Sequence, residues 1–481
     1  MTLYQTLADQ TARLIHDGVL RPGDKLPSVR QACQRQGVSP VTVTQAYYLL
    51  ESQGLIEARP KSGYFVRARL GQRLPEPEMS HPVGGSTTLQ VSDFIFQMLD
   101  SVRDPAIVPL GSSFPSPHLF PLEKLGRFLA SAARHLDPLA TVTDLPPGHE
   151  ELRRQIALRY LTHGANVSPQ EIVITSGAME GLNLCLQAVT RPGDLIAIES
   201  PTFYAGLQAS ERLGLNVIEI PSHPREGVNL AALEAALRHH PIRACLFMLN
   251  FANPTGSLLS DERKRDLLAL LHRYQVPLIE DDVYAELHFQ PTPPRCSKAD
   301  DAAGLVMHVS SFSKCLAPGY RLGWVAAGRF AQALQRQKLA TSLATTIPVQ
   351  HALADYLKHG GYEHHLRQLR QRLMAQEAQL VDQIERHFPA GTRLARPQGG
   401  YFLWLELPRA IDTLQLHQQA LAQGISLAPG PIFSAKREFT HYLRLNFGHP
   451  DQGQQENAIR ILGEMIAGNC LTQNHRSSVR T

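Results

Sequence analysis

At 481 residues the chain holds two to four domains of ordinary size. With 43% apolar and 19% charged residues, it is neither disordered nor fibrous. Its longest apolar stretches, such as Ala244 to Leu249, are too short for a membrane span. Its N-terminus lacks the basic, apolar, small-residue order of a secretory signal, so a cytoplasmic location is expected. The net charge of +4 is unevenly placed: residues 1–73 carry ten basic and five acidic side chains, and the rest is close to neutral. That asymmetry is what a nucleic-acid module joined to a neutral body would show.

In chain order, helical periodicity over Tyr4 to Asp17 ends at Gly18. Pro27-Ser28 then opens a second helix that Gly37 closes. Ser39 as N-cap and Pro40 as first helical residue start a third over Val41 to Ser52. Val43, Ala46 and Leu50 face inward there, leaving Thr42, Thr44 and Gln45 to face a groove. Two strands, LIEAR and GYFVR, flank a wing tip at Pro60-Lys61-Ser62-Gly63. Residues 71–92, rich in Pro, Gly, Ser and Thr, read as a partly flexible linker.

Beyond it, short Val/Ile/Leu runs (EIVIT, DLIAIE, ACLFML, VPLIE, LVMHV, GWVAA) alternate with helical segments. This is the signature of a largely parallel sheet covered by helices. After Gln332 the pattern shifts to long helices and a strand at GYFLWLEL, a smaller C-terminal α+β part. The divisions are a head over 1–70, a linker over 71–92, a large domain with its N-terminal segment over 93–331, a small subdomain over 332–470 and a tail over 471–481. The six cysteines form no CxxC pair and have no histidine at ligand spacing, so they are expected to be reduced and no metal is predicted.

Four segments of the body carry chemistry. Lys314 follows the LVMHV strand in SSFSKCLAPGYR, where a lysine deprotonated by its surroundings can condense with an aldehyde cofactor. Ser311, Ser313 and Arg321 suit a phosphate ester. Small Ser176, Gly177 and Ala178 open a helix whose backbone N–H groups can cradle the same phosphate. Asp281, with Tyr284 three residues on, ends a buried strand and can keep a pyridine nitrogen protonated. Asn253 in NFANPTG can bond the ring's 3′ oxygen.

The head wording, PGDKLPSVR, GVSPVTV and LLESQGLIEARPKSGYFV, resembles the GntR family of DNA-binding domains, an α+β winged helix-turn-helix. By that resemblance Arg30, Ser39, Thr42 and Thr44 contact bases or phosphates, and Lys61 with Gly63 reaches the minor groove or backbone. Pro40 stands where many relatives carry Arg, which leaves the operator sequence open.

The body resembles fold-type I pyridoxal-phosphate proteins, the aspartate aminotransferase superfamily, an α/β fold. The resemblance implies pyridoxal 5′-phosphate on Lys314, with Asp281 on the pyridine nitrogen and Tyr284 and Asn253 on the 3′ oxygen. It also implies that Ala178, Met179, Ser311 and Arg321 hold the phosphate, that Phe203 stacks on the ring, and that Arg444 in YLRLNFG binds a substrate carboxylate. Where relatives carry a tyrosine reaching the neighbouring subunit's phosphate, this chain reads DLPPG, with Leu145 and Pro146; Tyr160 is one possible substitute. Arg103 and His118 are further candidates for a lid.

Head and body together resemble the MocR-type regulators. The expected protein is a homodimer that binds a double-stranded operator and senses pyridoxal phosphate, an amine or amino acid, or both. A working aminotransferase carrying a DNA-binding head is the alternative.

Overall fold

The computed structural model describes residues 3–16, 19–21, 23–52, 55–59, 62–66, 74–100, 104, 106–449 and 453–478. In the head, helices α1 (Leu3–His16), α2 (Val29–Gln36) and α3 (Pro40–Ser52) are followed by the antiparallel strands β1 (Ile56–Arg59) and β2 (Gly63–Val66). The Ser28 side chain accepts from the Gln31 backbone while the Gln31 side chain accepts from the Ser28 backbone, and Gly37 ends α2 at φ +64°, a conformation that suits glycine. Val43, Ala46 and Leu50 are buried with Leu7, Ile15, Ile56 and Val66, so one apolar stripe fixes the rotation of α3.

In the body the expected linker is laid along the surface of the fold from Pro75 onward. The Ser80 hydroxyl lies in the core region, donating to the Ser200 carbonyl and accepting from Ser222 N at 2.8 Å. Strand β3 (Thr87–Thr88) pairs with a body strand, and Lys436 donates to the Gly84 and Gly85 carbonyls. Such isolated backbone anchors leave no periodicity to read. Residues 67–73 lie outside the described residues.

The large sheet contains β4 (Ile172–Thr175), β5 (Leu195–Ser200), β6 (Asn216–His223), β7 (Gly227–Val228), β8 (Ile242–Phe247), β9 (Leu278–Asp281), β10 (Val306–Ser311) and β11 (Gly323–Ala326). Its order is β3-β6-β5-β8-β9-β10-β11-β4, with β7 on β6. β6, β5, β8, β9 and β10 run parallel, and β11 is antiparallel to both neighbours. β4, β5, β9, β10 and β11 are buried along their lengths, and apolar clusters lie on both faces of the sheet, as the unbroken apolar runs require.

The smaller antiparallel sheet follows, from β12 (Arg393–Ala395), β13 (Phe402–Glu406), β14 (Ala428–Pro429) and β15 (Tyr442–Asn446), in the order β12-β13-β15-β14. Two boundaries differ from expectation. Residues 106–116, placed with the large domain from sequence, run beside this small sheet: Val108 N bonds Gly424 O and Asn446 N bonds Leu110 O. The final helix, Gln455–Ser478, runs past the expected end at 470, since no proline or glycine breaks the stretch after Gly468.

Gly323 starts β11 where three backbones converge. A Cβ there would lie 2.7 Å from Ser310 O and 2.8 Å from Gly177 C. Gly323→Ala should therefore cost about 1–3 kcal/mol through overpacking, read as a lower urea midpoint for the body; an unchanged midpoint would show that the strands separate freely there.

Candidate functional site

The chemistry-bearing residues gather at the carboxyl ends of the parallel strands, where open α/β sheets bind ligands. At one end of this cluster β4 runs into Ser176 and Gly177, and Gly177 caps the helix Ala178–Val189 without a side-chain hydrogen bond. Gly177 offers no side-chain cap to the first-turn N–H groups, those of Ala178 and Met179 included, as an anion site needs. Gly177 has φ +85°, and a Cβ on it would lie 2.6 Å from Arg321 Nη2. The guanidinium donates to Ser313 Oγ and Ser176 O, both at 3.3 Å, and Ser311 Oγ accepts from Ser313 N. Gly177, Ser311, Ser313 and Arg321 thus gather into one polar cluster.

Next to it, β9 and β10 are parallel neighbours: Asp281 ends β9, and Lys314 lies three residues beyond β10. Both side chains are buried. Burial, then the Arg444 charge, pulls Lys314 down to about 7 against the opposing pull of Asp281. Burial, then the nearby Asp282 charge, pushes Asp281 up to about 7. Asp281 Oδ1 has no hydrogen-bond partner among the described residues. A buried carboxylate oxygen left unmatched is costly unless a ligand supplies its partner. Asn253 Nδ2 donates to Tyr284 OH at 3.3 Å, and burial pushes the Tyr284 phenol above its usual range. Phe203 lies half-buried at the start of the helix Tyr204–Arg212.

Arg444, on β15, is fully buried and reaches across to the same group: Nη1 donates to Asn253 Oδ1 at 2.9 Å. Nη2 donates to the carbonyls of Gly111 (2.7 Å) and Ser112 (3.2 Å). Lys314 Nζ donates to Ser113 O at 3.0 Å and lies 4.0 Å from the centre of the Phe114 ring. Tyr401 OH also donates to Ser113 O, and Asn446 Nδ2 to Ser112 O and Phe114 O. A strap, Gly111 to Phe114, therefore covers the lysine and the arginine together.

A scan of known families matches residues 131–462 to aminotransferase class I and II and residues 3–66 to the bacterial regulatory proteins of the gntR family. The chain is 45% identical to an uncharacterized HTH-type transcriptional regulator, YdcR, of Escherichia coli strain K12, over 97% of this chain and 99% of the relative. The chain belongs to the aminotransferase class I and II family, in its MocR-type form with a GntR head. It is also 30% identical to aromatic-amino-acid aminotransferase 1 of Thermococcus litoralis, over 77% of this chain and 91% of that one. Among solved structures it resembles the kynurenine aminotransferase of Pyrococcus horikoshii, with a TM-score of 0.73 and 29% identity over 79% of this chain and 95% of that one.

In this MocR-type chain Tyr160 does not take the place of the tyrosine that DLPPG lacks. Its hydroxyl bonds His308 Nδ1 at 2.7 Å and accepts from Trp324 Nε1 at 3.0 Å, on a buried path to Asp282. His118 is exposed, and Arg103 and Lys61 lie outside the described residues. The strap residues Ser112 and Ser113, with Tyr401, carry no sequence signal of their own, because they act chiefly through backbone atoms or from distant elements.

In the head, Arg30 and Gly63 are exposed, Gly63 at φ +101°. Ser39 Oγ accepts from Thr42 N at 3.2 Å and bonds the Thr42 hydroxyl, while Thr44 donates its hydroxyl proton to Pro40 O. Both threonines are half-buried and partly committed to the helix itself. Val41, not singled out from sequence, is 66% exposed at the start of α3.

Reductive methylation with formaldehyde, read at Lys314 by mass spectrometry, tests the lysine's state. Its rate should level off above pH 8, because deprotonation is nearly complete one unit beyond a pKa of about 7. A rate still climbing past pH 9, like that of an ordinary lysine, would contradict the burial argument.

Proposed function

We propose that the body binds pyridoxal 5′-phosphate and, through it, an amino compound, and that this occupancy alters DNA binding by the head. The chain is a transcriptional regulator with an aminotransferase-like domain; cofactor and effector are the proposal. The observation that carries it is the pairing of unmatched, buried Asp281 Oδ1 with a lysine driven toward neutrality at the ends of adjacent strands.

The residues fit the cofactor: the uncapped helix start at Gly177, with Ser311 and Arg321, would hold its phosphate, and Asp281 would hold a proton at the pyridine nitrogen. Asn253 and Tyr284 would donate to its 3′ oxygen and Phe203 would lie against its ring. When bound, the cofactor supplies an aldehyde that condenses with amines and a ring that draws electrons. Lys314 offers the neutral amine and can afterwards carry a proton. Arg444 is placed for a carboxylate, and bidentate binding requires Nη2 to leave the Gly111 and Ser112 carbonyls. Ligand entry therefore displaces the strap.

Because the lysine, the ring partner Asp281 and the arginine are all present, transamination is the second reading. Amino acids supplied to the loaded protein should give at most a single round of pyridoxamine phosphate and oxo acid under the sensing reading. Repeated turnover would establish the enzyme instead.

Two copies in a C2 dimer would present two heads to an operator with two half-sites. Light scattering on the loaded protein should give twice the chain mass, and a monomer would oppose this. Lys314→Ala should abolish the absorption band of lysine-bound cofactor; a retained band would place the attachment elsewhere. Arg30→Ala should weaken operator binding at fixed salt by about 1–3 kcal/mol if it reads a base, and unchanged affinity would remove it from the interface.

A further inference from the structure

Away from the lysine site, Asp144, His149 and His351 come together from three elements. Asp144 ends the short helix Ala140–Thr143, His149 caps the helix Glu150–Thr162, and His351 lies on the helix Ile347–His359. Asp144 Oδ2 is 2.8 Å from His351 Nε2 and 3.3 Å from His149 Nδ1. The two imidazoles stack with centroids 3.8 Å apart and planes at 26°. All three donor atoms lie within 4.8 Å of one another, and the side chains are 18–23% exposed.

We propose that these three side chains form a binding site for a divalent transition-metal ion, zinc(II) above all, with a fourth position left to water. Two imidazoles and one carboxylate are the donor types that zinc takes in open three-ligand sites. Ligands about 2.0–2.1 Å from a tetrahedral ion stand about 3.3 Å from each other. The Asp144–His149 spacing already has that value, and the Asp144–His351 hydrogen bond lengthens by about 0.5 Å when an ion replaces its proton. The stacked rings swing apart as their nitrogens turn to the ion.

The surroundings hold this arrangement. His149 N donates to Gln350 Oε1 at 2.9 Å, tying the loop to the helix that carries His351. Gly148, at φ +102°, has Gln350 Oε1 and Ile174 Cβ each 2.8 Å from where a Cβ would stand, so the loop is pressed onto its support. Arg153 is the cation nearest in sequence, and its guanidinium is turned away, donating to the carbonyls of Gly148 and Pro169. Glu150 and Glu151 add negative charge nearby, with Glu151 bound to Arg154 and facing Lys358 at 3.9 Å. Among the described residues, no lysine or arginine forms an ion pair with Asp144, and Arg153 meets its charge only through space.

The test is a titration of the full-length protein with cobalt(II), whose visible bands report coordination, followed by displacement with zinc(II). Wild type should bind one equivalent, with bands typical of four-coordinate cobalt. His351→Gln keeps an amide donor toward Asp144 but removes a ligand, and Asp144→Asn removes the anion. Each should weaken binding by at least about 100-fold, since outer-layer partners alone are worth 10–100-fold. Circular dichroism of each variant should match wild type. No cobalt spectrum in wild type, or equal binding in wild type and in either folded variant, would overturn the proposal.

Discussion

The burial of opposite charges at the ends of β9 and β10 is the constraint on which the rest of the body depends. Neither Asp281 nor Lys314 is stable there as an isolated ion, and each is driven toward its neutral form. Such a site would suit the proposed cofactor, whose ring nitrogen would meet the unmatched carboxylate oxygen and whose carbonyl would meet the amine. The parallel sheet makes this possible by delivering both side chains to one edge from adjacent strands, while antiparallel β11 returns Arg321 to the same edge.

The second half of the site comes from the small sheet. Arg444 is carried on β15, yet its partners are Asn253 from the large domain and the carbonyls of Gly111 and Ser112. The strap thus joins the lysine, the arginine and the small sheet in one hydrogen-bonded unit. Any carboxylate that takes Arg444 in a bidentate grip must rearrange that unit, which gives ligand binding a mechanical consequence. A ligand shifts an equilibrium only by its differential affinity for the two states, and tenfold in DNA affinity needs about 1.4 kcal/mol of coupling.

Much of this was legible in the sequence, and for physical reasons. Buried parallel strands must be continuous apolar runs, so β5, β8, β9 and β10 announce themselves, and Asp281 and Lys314 stand out as polar residues just where such runs end. In the head, Ser28, Gly37 and Ser39 mark helix ends because capping is local chemistry. The strap was not legible: its carbonyls are common to every residue, and its partners lie some 330 positions away. The same holds for residues 75–92, anchored by Ser80 and Lys436 instead of by a repeating face, and for Tyr160, whose burial against His308 and Trp324 depends on tertiary packing. The cluster of Asp144, His149 and His351 escapes spacing rules because its third member is 202 residues from its second.

The central claim is that occupancy of the Lys314 site is linked to DNA binding by the head. The most direct measurement is operator affinity at constant salt, with and without pyridoxal 5′-phosphate, for wild type and for Lys314→Ala. Salt must be fixed because phosphate contacts make affinity steeply salt-dependent. The account predicts a change of roughly tenfold or more in wild type and none in the variant. Equal affinities with and without cofactor in a wild type shown by its absorption to be loaded would contradict it.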